Sequence, residues 1–286
     1  MKVTLLAGGT GGTKLAHGFT LLDPPVELTV IANVGDDVEL HGLHVSPDVD
    51  ALLYTLGGLI DADLATHVER TRRLGDGQSL TDATADMASA LGIGARILPA
   101  TEDRFRTILE TDEGALDFQD YFVRRRQEPE VTAVTFDGAA TARASQPVLE
   151  AIAGTDLVVI GPSNPIVSIG PILSLAGVRE ALEATSAPKV AVSPIVAGRA
   201  LKGPADRMLV SLGHESTALG VARIYAGLVD RFILDTADAA LAGDIEALGM
   251  SAVVLDTVMR EDDDRRALAA SLLAELPGGD RDRHDR

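Results

Sequence analysis

The chain has 286 residues, of which 46% are hydrophobic, no cysteine, and a formal charge of -18 from 43 acidic and 25 basic side chains. That length holds one large α/β domain with an insertion, or two modest domains. The composition excludes a disulfide framework, a thiolate zinc site and a cysteine nucleophile. Nucleic acid is not expected as a partner, because its phosphates need a basic face. Nor is a membrane, since no apolar run reaches the length of a bilayer span. Lysine is confined to Lys2, Lys14, Lys189 and Lys202. High Asp with low Lys resembles proteins adapted to high salt; the alternative is an acidic protein from a GC-rich genome. A cytoplasmic location is expected.

In chain order, the opening residues 3–7 (VTLLA) read as a buried strand rather than a signal peptide, whose apolar region would be longer. Residues 28–32 (LTVIA) form the next run and end at Asn33-Val34-Gly35-Asp36-Asp37. Later runs at 156–160, 189–193, 231–235 and 252–255 also end at Gly, Pro or Asp or lie between helical stretches. Helices are expected at 14–22, 50–56, 178–184, 216–228 and 265–276. Continuous apolar runs alternating with helices predict a doubly wound, mostly parallel, Rossmann-like α/β sheet covered on both faces.

Residues 64–129 read as an inserted helix-plus-hairpin subdomain. It would hold helices at 64–74 and 82–91, strand-like runs at 96–99, 106–111 and 115–124, and a turn at Asp112-Glu113-Gly114. The nucleotide-binding core would then be 1–63 with 130–276. The tail 277–286 (PGGDRDRHDR) is polar and expected to be disordered.

Ligands of open α/β sheets bind beyond the carboxyl ends of the strands, where this chain places its unusual polar stretches. Gly8, Gly9, Thr10, Gly11, Gly12 and Lys14 follow the first strand. Glycines there let backbone approach a phosphate, and free N–H groups at a helix start favour an anion. The spacing matches neither a Walker A loop nor a dinucleotide fingerprint, but four glycines in five residues exceed the needs of a turn. Asp36 and Asp37 end the second strand, and Ser46-Pro47-Asp48-Val49-Asp50 opens a helix. The bland reading of Asp48 and Asp50 is capping and dipole stabilisation, which covers one of them. Together with Asp36 and Asp37 they form an acidic cluster suited to a metal bridging phosphate oxygens. His41 and His44 lack a third ligand for zinc. Ser163, Asn164 and Ser168 lie in a stiff Pro/Gly loop, without the G-x-S-x-G elbow of a serine hydrolase. Arg199 and Lys202 with Gly203 offer cations near a strand end.

Taken together, GGTGGTK, NVGDD, GLHVSPDVD, LLYTLGGL, DLATHVERT, SLTDAT, ILPATED, DFQDYFVRRRQEP, GPSNPIVSIGPIL, VAVSPIVAGRALKGPAD and GVARIYAGLVDRFILD resemble the 2-phospho-L-lactate transferase family over most of the chain. The resemblance implies a Mg²⁺-dependent transfer in coenzyme F-420 biosynthesis. A ribityl hydroxyl of the 5-deazaflavin precursor Fo attacks the phosphate of lactyl-diphosphoguanosine, or of its phosphoenolpyruvate-derived analogue, and GMP leaves. On this pattern Gly8 to Gly12 cradle the diphosphate. Asp37 and Asp48, with Asp36, hold Mg²⁺. Asp50 holds the attacking hydroxyl or shares the metal, and Asn33 lies with it at the deazaflavin. Ser163, Asn164, Ser168, Lys14, Lys202 and Gly203 grip the nucleotide. A homodimer is also implied.

One departure stands out. In the family a tryptophan-containing segment with a GDTF-like run, a basic residue near the deazaflavin and a GDRD sequence separates YTLGGL from DLATH. Here residues 57–63 lead straight into Leu64, Ala62 stands at the place of an Arg, and the chain has no Trp. The expectation is that nucleotide binding survives and transfer is impaired or redirected. The competing reading is a non-catalytic regulator that binds a nucleotide or sugar-nucleotide, similar to the YvcK-like proteins. An NAD(P) dehydrogenase is disfavoured by the failed fingerprint.

Overall fold

The computed structural model describes residues 1–59 and 64–274. Seven short apolar runs build one sheet: β1 (Lys2–Ala7), β2 (Glu27–Ala32), β3 (Arg96–Pro99), β4 (Leu157–Ile160), β5 (Lys189–Val192), β6 (Arg231–Asp235) and β7 (Ser251–Leu255). Their order across the sheet is β7-β6-β5-β4-β1-β2-β3, and every neighbouring pair is parallel. The predicted Rossmann-like α/β class is therefore what the chain adopts.

The alternation of side chains along each strand explains why the runs are apolar at nearly every position. Leu6, Ile31, Ile160 and Ala191 face one core, while Leu5, Val30, Val159 and Val190 face the other. Both faces are thus buried under helices, and a polar residue on either would lose its water.

The order runs outward from β1 in both directions, so β1 and β4 meet at the switch point where such sheets place ligands. The register there sets Leu6 beside Ile31 and Ile160, bringing Gly8, Asn33 and Gly161 to adjacent strand ends.

Helix α1 runs from Gly9–Thr20, five residues earlier than periodicity suggested. The apolar period begins only at Leu15, and the glycines before it carry no side chain to reveal it. Helix α2 spans Pro47–Leu56, α3 Leu64–Gly75 and α4 Leu80–Ala90. A final helix, Asp262–Ala274, packs on α1 so closely that a Cβ at Gly18 would sit 2.2 Å from the Arg265 carbonyl oxygen.

Two runs of the inserted region behave differently from expectation. Arg96–Pro99 pairs with β2 and extends the main sheet, because its Ile97 and Leu98 join the two cores. Residues 115–124 do not form one strand: Gly114–Asp117 is a strand, and Asp120–Arg124 is a single π-helical turn. The hairpin becomes a three-stranded antiparallel sheet in which Arg106–Thr111 lies between Gly114–Asp117 and Val131–Asp137. A hairpin of Val38–Leu40 and Leu43–Val45, too short to register in the sequence pattern, follows the acidic loop. The shortened junction at 60–63 and the tail 277–286 lie outside the described residues.

Candidate active site

Four segments converge at the switch point. The glycines after β1 enter α1 directly, with Gly8 as its N-cap in extended conformation. Gly8 is buried, Gly9 and Gly11 are half-buried, and Thr10 is exposed. Two of these glycines are explained by close packing. A Cβ at Gly11 would lie 1.9 Å from the Pro162 carbonyl oxygen, and one at Gly12 would meet Ala7 and Ser163. Gly9 sits at φ +63°, a left-handed conformation that favours glycine.

The anion at the start of α1 is supplied by the chain itself. The Gly9 N–H donates to Asp48 Oδ1 at 2.6 Å, and Asn33 Nδ2 donates to Asp48 Oδ2 at 2.9 Å. Asp48 therefore caps a neighbouring helix rather than its own, whose N-cap Ser46 makes no side-chain cap. Asp50 reaches back to the Ser46 N–H at 3.3 Å, so local capping accounts for Asp50 and not for Asp48.

Asp36, Asp37, Asp48 and Asp50 are each less than 10% exposed. Burial is the main force raising the Asp48 carboxyl, to about 6, against the pull of the Gly9 and Asn33 donors. Burial also raises Asp36 well above the usual carboxylate range, helped by the Asp48 charge. Asp37 rises for the same first reason, opposed by His44. Asp37 accepts from Ser46 Oγ at 2.7 Å and meets His44 Nε2 at 3.0 Å, while His44 Nδ1 lies 2.9 Å from Glu39. Burial opposes protonation of His44, yet bonds to these two carboxylates leave it raised overall. His41 sits apart at the exposed hairpin turn with φ 53°.

Among the described residues, Asp36 Oδ1 and Thr107 Oγ1 are buried without a hydrogen-bond partner. Among the described residues no three His, Asp or Glu side chains converge as a ready metal cage. Mg²⁺ does not require one, since it binds through one or two carboxylates together with water and substrate phosphate. Three mutually repelling acids with one orphaned oxygen fit such an ion, which would relieve the charge that burial penalises.

The loop after β4 closes the other side. Ser163 Oγ accepts from the Gly8 N–H at 3.4 Å, and Ser168 lies over Gly8, where a Cβ would come within 2.8 Å of it. The Asn164 side chain turns inward, capping the Ile166 and Val167 N–H groups and donating to Met208 Sδ at 3.4 Å. Lys14 donates from Nζ to the Met259 carbonyl at 2.7 Å. Burial first, then the charges of Arg265 and Lys202, lower the pKa of its ammonium. Lys202 and Gly203 are exposed, as is Arg199.

Arg70 and His67 escaped the reading of individual residues. Arg70 is fully buried and forks onto the Asp50 carboxylate, with Nη1 3.2 Å from Oδ2 and Nη2 on Oδ1. His67 Nε2 lies 3.2 Å from Asp50 Oδ2. Their spacing, i and i+3 on an otherwise charged helix, was the available signal. The inserted region braces the site as well: the Thr107 N–H donates to the Gly35 carbonyl at 2.7 Å, and Gln119 Nε2 to the Asp36 carbonyl at 3.4 Å.

A family model described as "2-phospho-L-lactate transferase CofD" matches residues 3–273. A phosphoenolpyruvate transferase of Streptomyces griseus subsp. griseus is 38% identical over 310 residues, covering 96% of this chain and 98% of that protein. A 2-phospho-L-lactate transferase of Methanosarcina mazei is 37% identical over 93% of this chain and 97% of that protein. The first match runs over 310 residues against the 286 of this chain, so that relative carries residues with no counterpart here. The crystal structure of a UPF0052-family protein from Bacillus halodurans shares the fold, with TM-score 0.69 at 19% identity over 96% of this chain and 100% of that one.

Proposed function

The chain belongs to the 2-phospho-L-lactate transferase family, and on that premise we propose that it transfers a phospholactyl or phosphoenolpyruvyl group from a guanosine diphosphate-linked donor to the deazaflavin Fo. The reading is supported above all by Asp48, whose carboxylate lies at the N-terminus of the glycine helix beside two further buried acids at the sheet's switch point. Relatives named for either donor chemistry are similarly close, at 38% and 37% identity, so the donor's carboxylic acid stays open between the two.

In this reaction the ribityl hydroxyl of Fo attacks the phosphorus that carries the lactyl or enolpyruvyl group. The new P–O bond replaces the bond to the second phosphate, GMP departs, and the hydroxyl proton is released. Such chemistry rests on positioning and on offsetting charge rather than on a protein nucleophile, in keeping with a site that has no cysteine. The start of α1 at exposed Thr10 and half-buried Gly11, next to the Gly9 N–H that Asp48 already occupies, would face the diphosphate. Asp36, Asp37 and Asp48 would hold Mg²⁺, which would supply positive charge to offset the negative charge developing on the transferred phosphate. Asp50 would accept the hydroxyl of Fo, and Asn33 would lie at the deazaflavin. Ser163 and Ser168 would close over the phosphates, and Lys202 with Gly203 would lie at the nucleotide.

A second reading, a guanine-nucleotide-binding regulator without transfer, is favoured by the greater length over which the Streptomyces relative aligns. One assay separates them. The protein is incubated with Fo, either donor and Mg²⁺ in concentrated salt, and GMP is followed with the mass of the deazaflavin product. GMP release that requires Fo supports the transferase. Nucleotide binding without any product sinks it in favour of the regulator.

A further inference from the structure

Asp50 is 3% exposed and Arg70 is 0% exposed, so their ion pair is withdrawn from water. Burying two charges carries a desolvation cost that a pair of apolar side chains would avoid, and a buried ion pair is weak evidence for a purely stabilising role. Arg70 also donates to the His44 carbonyl at 3.4 Å, tying α3 to the hairpin that carries the Asp37 partner His44. Its Nε is buried with no acceptor among the described residues. His67, one turn earlier on α3, approaches Asp50 Oδ2 from a position 20% exposed. Arg70 Nη2 donates to Oδ1, and Oδ2 is shared among Arg70 Nη1, His67 and the Ser46 N–H. A planar guanidinium donating through two nitrogens fixes both the position and the plane of a carboxylate, which an ammonium cannot do.

We infer that Arg70, assisted by His67, is a positioning residue that sets the plane of the Asp50 carboxylate so that one oxygen faces the acceptor hydroxyl. The inference rests on the reading of Asp50 as the acceptor's partner. It makes α3 a working part of the site, although none of its side chains need touch substrate. Displacing a reacting group by an ångström can cost on the order of 100-fold in rate, so the effect belongs mainly in kcat.

The test compares the unmodified chain with Arg70→Lys, Arg70→Gln, Asp50→Asn, the Arg70→Gln/Asp50→Asn double variant and Arg72→Gln. Arg72 pairs with Glu69 and Asp76 on the exposed face of the same helix and serves as the control. Calorimetric GDP affinity and thermal unfolding establish that each chain is folded. Where Arg70→Gln does not fold, Arg70→Lys carries the kinetic comparison.

The expected result is a fall in kcat of roughly 10–100-fold for either Arg70 variant with GDP affinity kept. The KM for Fo should change far less, and the double variant should be no slower than Asp50→Asn alone. Wild-type kcat in a folded Arg70 variant overturns the inference, as does a multiplicative loss in the double variant. Lack of transfer by the unmodified chain overturns the transferase reading instead. The crystal structure of an Arg70 variant then decides the positioning role: a reoriented Asp50 carboxylate supports it, and an unchanged rotamer overturns it.

Discussion

At the scale of single residues, the acid cluster sets the pH behaviour of the protein. Asp48 is raised to about 6, from ~3.9 in an unfolded chain, and Asp36 and Asp37 shift in the same direction. The folded state therefore holds more protons across that interval, and the metal-free protein should lose stability as pH rises from about 4 through about 6. Mg²⁺ favours the ionised acids and competes with protons, so it should raise the unfolding midpoint more above pH ~7 than near pH ~5. Thermal denaturation with and without Mg²⁺ at both pH values checks this, and an equal shift at both would contradict it. Gly11 offers a second test. Its Ala variant would press a methyl group to 1.9 Å from the Pro162 oxygen, a clash with backbone that should cost about 1–3 kcal/mol, read as a lower denaturation midpoint. Asp48 was identified from sequence as part of an acidic cluster, yet its bond to Gly9 spans 39 positions. Arg70 was missed because a surface-like spelling, THVERTRR, conceals a residue that tertiary packing buries completely.

At the scale of elements, the π-helical turn Pro165–Ile169 carries the loop that closes over Gly8, and it depends on Asn164 as its cap. Asn164→Ala removes the acceptor for two N–H groups and should cost about 0.5–2 kcal/mol, with the loss visible in chemical denaturation. Because Ser168 sits on that turn, nucleotide affinity should weaken in parallel; unchanged affinity in a destabilised variant would detach this loop from the nucleotide. Strands were legible because a two-faced sheet demands unbroken apolar runs. The start of α1 was not, since glycine shows no periodicity, and the assignment of Arg96–Pro99 to the main sheet depends on a partner more than 60 positions away.

At the scale of the whole molecule, a formal charge of -18 means self-repulsion in dilute buffer. Raising salt from ~0.1 M to ~1 M shortens the screening length from about 10 Å to about 3 Å, and the unfolding midpoint should rise with it. A midpoint that falls instead would assign the acidity to genome composition rather than to salt adaptation. The sequence by itself determined the family, the parallel α/β class and the polar strand ends, because each is encoded in local runs and motifs that need no partner. Tertiary structure alone decided that Asp48 serves a helix other than its own, that Gly11 and Gly12 are small for the sake of a neighbouring loop, and that Arg70 holds Asp50. Those outcomes depend on which distant segments share the switch point, and the distance between Asp48 and Gly9 is a property of the folded sheet rather than of their spacing in the chain.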